Sequence, residues 1–140
     1  MVDRTIYAPD WYRENIFPWY KEMWKPIKKS GKKLLFYSDG NIDSIIDDIV
    51  DTGVDGVFID CCANLEKAVG KYGGKKFILG NVDNGKLVRE NINDVANEVD
   101  RCLALGNNLP GYILSNSGQF LYDVPLGTIE QYFDYIKKVR

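Results

Sequence analysis

Lys33-Leu34-Leu35-Phe36-Tyr37-Ser38-Asp39-Gly40-Asn41 is a short apolar run that stops abruptly in small and acidic polar residues. Behind it Ile42, Ile45, Ile46, Ile49 and Val50 recur at helical spacing as far as Gly53. A nearly continuous apolar run of this length, followed at once by a helical period, predicts a parallel strand covered on both faces and then a helix. The same grammar returns further along. Gly56-Val57-Phe58-Ile59 ends in Asp60 and precedes a helix around Asn64 to Tyr72. Lys76-Phe77-Ile78-Leu79-Gly80 ends in Asn81-Val82-Asp83 and precedes a helix from about Asn93 to Leu105. Gly111-Tyr112-Ile113-Leu114 ends in Ser115-Asn116-Ser117 and precedes a helix from about Leu126 to Val139.

Upstream, Pro9 to Ser30 has a helical period carried by Trp11, Ile16, Trp19, Tyr20, Met23, Trp24 and Ile27. Pro18 and Pro26 would each interrupt a continuous ladder, so the expectation is a short helix, a break, and a second helix opened near Pro18 and kinked at Pro26. The chain therefore divides into an amino-terminal helical segment, residues 1–31, and four strand-helix units, residues 32–140, within one domain.

Strands alternating with helices define an α/β protein with a parallel sheet. No strand is followed by a Gly-x-Gly-x-x-Gly or Gly-rich lysine loop, so nothing recommends a doubly wound nucleotide-binding fold. A full (β/α)8 barrel takes about 250 residues, so 140 residues with this pattern read as half of a TIM-type barrel, four parallel strands preceded by a broken helical segment.

Composition narrows the partners. Eighteen basic and 20 acidic residues, mixed along the chain for a net charge of −2, offer no basic stripe for nucleic acid. No run approaches the roughly 18 apolar residues of a membrane span, and the cytoplasm is the expected location. Cys61, Cys62 and Cys102 form neither a plausible disulfide framework nor a zinc knuckle, and the expected role of Cys61 and Cys62 is that of small buried hydrophobes. Histidine is absent, which removes the commonest neutral-pH acid-base group and the commonest metal ligand. No metal and no cofactor is expected.

In parallel α/β folds the carboxyl ends of the strands share one face, so the polar strand ends should meet around a mouth. Asp39 and Tyr37 are the candidate catalytic residues. Ser38, Asp60, Asn81, Asp83, Ser115, Asn116, Ser117 and Gln119 are the candidates for substrate binding. Each has a structural alternative. Asp39 or Asn41 could cap the helix starting near Ile42, Asp83 could bond its own loop, and Tyr37 could face the barrel interior or pack against the covering helices.

The stretches Phe36-Tyr37-Ser38-Asp39-Gly40-Asn41, Asp51-Thr52-Gly53-Val54-Asp55-Gly56, Lys71-Tyr72-Gly73, Leu79-Gly80-Asn81-Val82-Asp83 and Gly111-Tyr112-Ile113-Leu114 resemble the carboxyl-terminal half of the uroporphyrinogen decarboxylase superfamily, which includes cobalamin-dependent methyltransferases. The resemblance implies a barrel whose mouth takes a tetrapyrrole or a small methyl-group substrate. It also implies, for the zinc methyltransferases, a His-x-Cys pair and a later cysteine. Those positions hold Tyr37 and Asp39, and Ser115-Asn116-Ser117-Gly118. Phenol and hydroxyl groups in place of imidazole and thiolate make a poor zinc site. For the decarboxylases it implies arginines and a central aspartate supplied mainly by the amino-terminal half, and a histidine near the last strand where Gln119 is the nearest polar candidate.

Four strands cut from a barrel leave two free edges and an apolar face. The expected partner is a second copy of the chain or a complementary amino-terminal half-barrel; the front helices folding over the face, or a longer enzyme of which this is a piece, are the alternatives. Three functions remain open: a decarboxylase-like or methyltransferase-like site completed by another polypeptide, a non-catalytic tetrapyrrole or corrinoid binder, and a structural half-barrel subunit.

Overall fold

The computed structural model describes residues 4–88 and 91–139; Met1 to Asp3, Arg89, Glu90 and Arg140 lie outside them. Two helices open the chain, α1 (Pro9–Asn15) and α2 (Phe17–Lys29). The break falls at Ile16, where Pro18 takes the first turn of α2, the position at which a missing N–H costs nothing. Pro26 sits inside α2, which continues through it to Lys29.

Four strands follow: β1 (Leu35–Phe36), β2 (Gly56–Ile59), β3 (Phe77–Gly80) and β4 (Tyr112–Ile113). They pair in parallel in chain order, β1 against β2, β2 against β3 and β3 against β4. Between and after them come α3 (Ile46–Asp51), α4 (Leu65–Tyr72), α5 (Asn84–Val88), α6 (Ile92–Gly106) and α7 (Leu126–Val139). The alternation and the parallel order are those of part of a TIM-type barrel. The helix after β1 starts at Ile46, four positions later than the sequence period suggests, because Ile42 and Ile45 are buried in the turns leading into it.

Register sorts the two faces of the sheet. Phe36, Val57, Ile78 and Tyr112 are paired partners across the four strands, so they project to one side. Val57 and Ile78 belong to the buried hydrophobic core, and Phe36 and Tyr112, partly buried, pack against it. The other side carries Leu35, Phe77 and Ile113, which are 46%, 43% and 49% exposed. The sequence predicted strands covered on both faces; the helix-facing side is covered throughout, whereas the other is covered along β2, where Tyr37 lies on Phe58, and open at Leu35, Phe77 and Ile113. An apolar run records that a side chain is hydrophobic and not which neighbour covers it.

Candidate functional site

The mouth lies where the strands deliver their carboxyl ends. Tyr37 and Asp39 follow β1, Asp60 and Cys61 follow β2, Asp83, Asn84 and Gly85 follow β3, and Ser117, Gly118 and Gln119 follow β4. These residues, with Leu121, line one open hollow of about 690 Å³. Six of the ten candidates thus come together: Tyr37, Asp39, Asp60, Asp83, Ser117 and Gln119. Ser38 lines a smaller cavity under α1 and α2. Ser115 and Asn116 line a groove beside β4 and α7, and Asn81 lines one between α4 and α6.

Tyr37 is on the open face, its ring stacked on Phe58 and its hydroxyl reaching toward Gly118. Burial, together with the charges of Asp39 and Asp60, raises its pKa, so it is a neutral phenol at pH 7. Asp60 accepts from the Gly40 N–H at 2.6 Å, and Asp83 accepts from the Gly85 N–H at 2.8 Å. Cys61 is pushed up to about 12, chiefly by burial, and therefore stands as a thiol.

Three asparagines hold the rim loops to one another. Asn41 Nδ2 donates to Cys62 O at 2.9 Å, joining the loops after β1 and β2, while its Oδ1 accepts from Asp43 N at 2.8 Å. Asn81 Nδ2 donates to Asp60 O at 3.1 Å and Ala63 O at 3.3 Å, joining the loops after β2 and β3. Asn84 Nδ2 donates to Ser117 O at 2.8 Å and Gln119 O at 2.7 Å, joining the loops after β3 and β4. The carboxamide suits this work because it carries two donors and an acceptor on one short, neutral stem. Asn41 and Asn84 were not candidates, because an asparagine at a turn reads as a local cap. Asn81, a candidate ligand contact, is 1% exposed and its carboxamide is engaged by the protein itself.

The family model described as uroporphyrinogen decarboxylase (URO-D) matches residues 4–139. The chain belongs to the uroporphyrinogen decarboxylase family. A search of curated proteins found no match. In this URO-D family chain the positions that would carry zinc ligands hold Tyr37, Asp39 and Ser115 to Gly118, and among the described residues no group of three or more His, Cys, Asp or Glu is arranged to hold a metal ion. These residues do not fit zinc.

Proposed function

We propose that this chain forms one half of a URO-D-like ligand mouth, receiving the N–H side of a tetrapyrrole or a comparably N–H-rich ring and relying on a second set of strands for the groups it lacks. The observation that carries this reading is the lining of the hollow: Asp39, Asp60 and Asp83 beside the Tyr37 ring, with no lysine or arginine among the described residues that line it. Carboxylates accept hydrogen bonds and stabilise positive charge, which suits pyrrole N–H groups and a protonated pyrrole. In decarboxylation of a pyrrole acetate the ring is protonated, the bond from methylene to carboxylate breaks, its electron pair flows into the protonated ring as CO2 leaves, and the exocyclic methylene then takes up a proton to become the methyl group while the ring gives up the proton it gained. Asp39, with Tyr37 beside it, is the group assigned to the charge on the ring.

The acetate and propionate carboxylates need cations that the described lining residues do not provide. The open sheet face and the two unpaired edges, at β1 and β4, support completion by further strands. Among the described residues a second copy would double the rim carboxylates without adding a cation to the lining, so charge favours a complementary half-barrel with basic strand ends over a homodimer.

The test is an absorbance titration with two free-base porphyrins, one carrying carboxylate side chains and one neutral, alongside the mass in solution. Tighter binding of the neutral porphyrin, weakened by Asp39→Asn, and a monomer in the absence of a partner are expected. If neither porphyrin binds, the ligand assignment fails; a stable dimer removes the preference for a complementary half.

A further inference from the structure

The hollow between α4 and α6, about 560 Å³, backs directly onto the mouth: Cys61 and Asp83 line both. Its floor contains a pair of charges on α6 that the proposed chemistry does not use. Glu98 is buried and Arg101, one helical turn on, lies over it. Arg101 Nε donates to Glu98 Oε2 at 3.1 Å and its Nη2 to Glu98 Oε1 at 2.7 Å.

Only the carboxylate of the pair is buried, the Arg101 side chain being 42% exposed, and a buried charge is held by its hydrogen bonds as much as by its counter-ion, so the other contacts matter. Arg101 Nη2 also donates to Asn81 Oδ1 at 2.8 Å and to Asn81 O at 3.2 Å. Glu98 Oε1 accepts from the Asp83 N–H at 3.1 Å. From the sheet side, the Tyr112 hydroxyl donates to Gly80 O. Gly80 itself lies against the Ile59 carbonyl, with φ +138°, so a Cβ there would collide with main chain. The segment from Gly80 to Asp83 is thus gripped from α6 and β4 at residues 80, 81 and 83.

We propose that Glu98 and Arg101 are positioning residues for the mouth: through the Asn81 carboxamide and the Asp83 main chain, they fix the rim loop that presents the Asp83 carboxylate. Arg101 orients Asn81 so that its Nδ2 faces the Asp60 and Ala63 carbonyls, carrying the effect to the neighbouring rim loop. Glu98 settles where the Asp83 amide points, and with it the carboxylate three bonds away. Lysine at position 101 offers a single ammonium and could not serve Glu98 and Asn81 in one planar fork.

The ligand arm of the test rests on the function proposed above; the exchange arm does not. Hydrogen exchange resolved at the Asp83 amide should show protection lost in Glu98→Ala and kept in Glu98→Gln, which retains an acceptor, with the α7 amides unchanged in both. Neutral-porphyrin binding should weaken on the order of tenfold in Glu98→Ala, and the Glu98→Ala/Asp83→Asn double variant should bind no more weakly than Asp83→Asn. Should Glu98→Ala fold poorly, Arg101→Lys reads the same rim loop through Asn81 and the position of Glu98, and should raise exchange at residues 81–83 while leaving α7 protected. Unchanged protection at Asp83 in Glu98→Ala, additive losses in the double variant, or an equal loss in Glu98→Gln would overturn the proposal. If the wild-type chain fails to bind porphyrin, the ligand assignment falls and the exchange result alone decides the positioning role.

Discussion

The ring of Tyr37 lies on that of Phe58 with centroids 4.1 Å apart and planes 18° from parallel. Phe58 is only 1% exposed although it projects from the open side of the sheet, while Tyr37 is 54% exposed. The tyrosine therefore acts as a lid on Phe58 and offers its other face to the mouth as a flat apolar shelf.

Two substitutions separate those roles. Phe58→Ala should destabilise the chain by about 3 kcal/mol, the usual cost of removing a buried aromatic ring. Tyr37→Ala should cost about 1 kcal/mol or a little more, through the exposed Phe58, yet weaken porphyrin binding more than Phe58→Ala does, with Tyr37→Phe close to wild type in stability. Urea denaturation and absorbance titration on the same preparations check both.

Asn84 gives the second prediction. It is 6% exposed and supplies both donors to main-chain carbonyls of the loop after β4, while its Oδ1 accepts from Asn116 Nδ2 at 3.3 Å. Asn84→Ala leaves two carbonyls without their donor and should cost about 1–3 kcal/mol. Asn84→Asp should cost more, since a carboxylate would face the Ser117 and Gln119 carbonyls, and the excess should shrink as acid protonates it. Denaturation at neutral and acid pH, with hydrogen exchange over residues 115–119, would show it.

These contacts explain which parts of the molecule were legible in the sequence. The strand-helix alternation and the gathering of Asp39, Asp60 and Asp83 follow from where apolar runs stop, a signal local to each unit. Helix α5 escaped notice because Asn84-Gly85-Lys86 has the composition of a turn. Glu98 and Arg101 resemble any solvated pair one turn apart on a helix, and nothing local reveals that α6 presents them to a neighbouring loop. The Asn41, Asn81 and Asn84 bridges span about 20 to 35 residues in sequence, beyond the reach of periodicity. Tyr37 was ambiguous by a single residue of register, which the pairing of Phe36 with Val57 resolves.

The third prediction concerns acid. Asp55 Oδ2 accepts from the Leu34 N–H at 2.9 Å, tying the start of β1 to the start of β2. That backbone hydrogen bond, with help from Lys28 and Lys33 against the opposing effect of burial, holds the Asp55 carboxyl below its usual pKa. A depressed folded-state pKa means the stabilisation is present above the unfolded value near 3.9 and disappears as pH falls through the folded value. Asp55→Ala should therefore lose about 1 kcal/mol at neutral pH and progressively less below about pH 4. Parallel denaturation curves for the two proteins across that range should converge; a constant gap would mean that the carboxylate charge does not contribute.

The last prediction uses the open side of the sheet to separate folding from assembly. Ile113 is 49% exposed on β4, an edge strand, and neighbours Phe133 of α7 along a groove of about 490 Å³. Ile113→Lys places a charge in water in the isolated chain and, like most surface changes, should shift its stability by no more than about 0.5 kcal/mol. In a closed barrel the same side chain would point into a packed interior, where an unpaired ammonium costs several kcal/mol, so the variant should fail to join a complementary half-barrel. Leu35→Lys, at the opposite edge and 46% exposed, should behave alike, because closure needs both edges at once. Co-purification with a four-stranded partial barrel from the amino-terminal side of the family, scored beside the denaturation midpoint of each chain alone, distinguishes the two effects. If both lysine variants still assemble, the exposed row is solvent-facing in the complete protein and the half-barrel reading of the mouth fails with it.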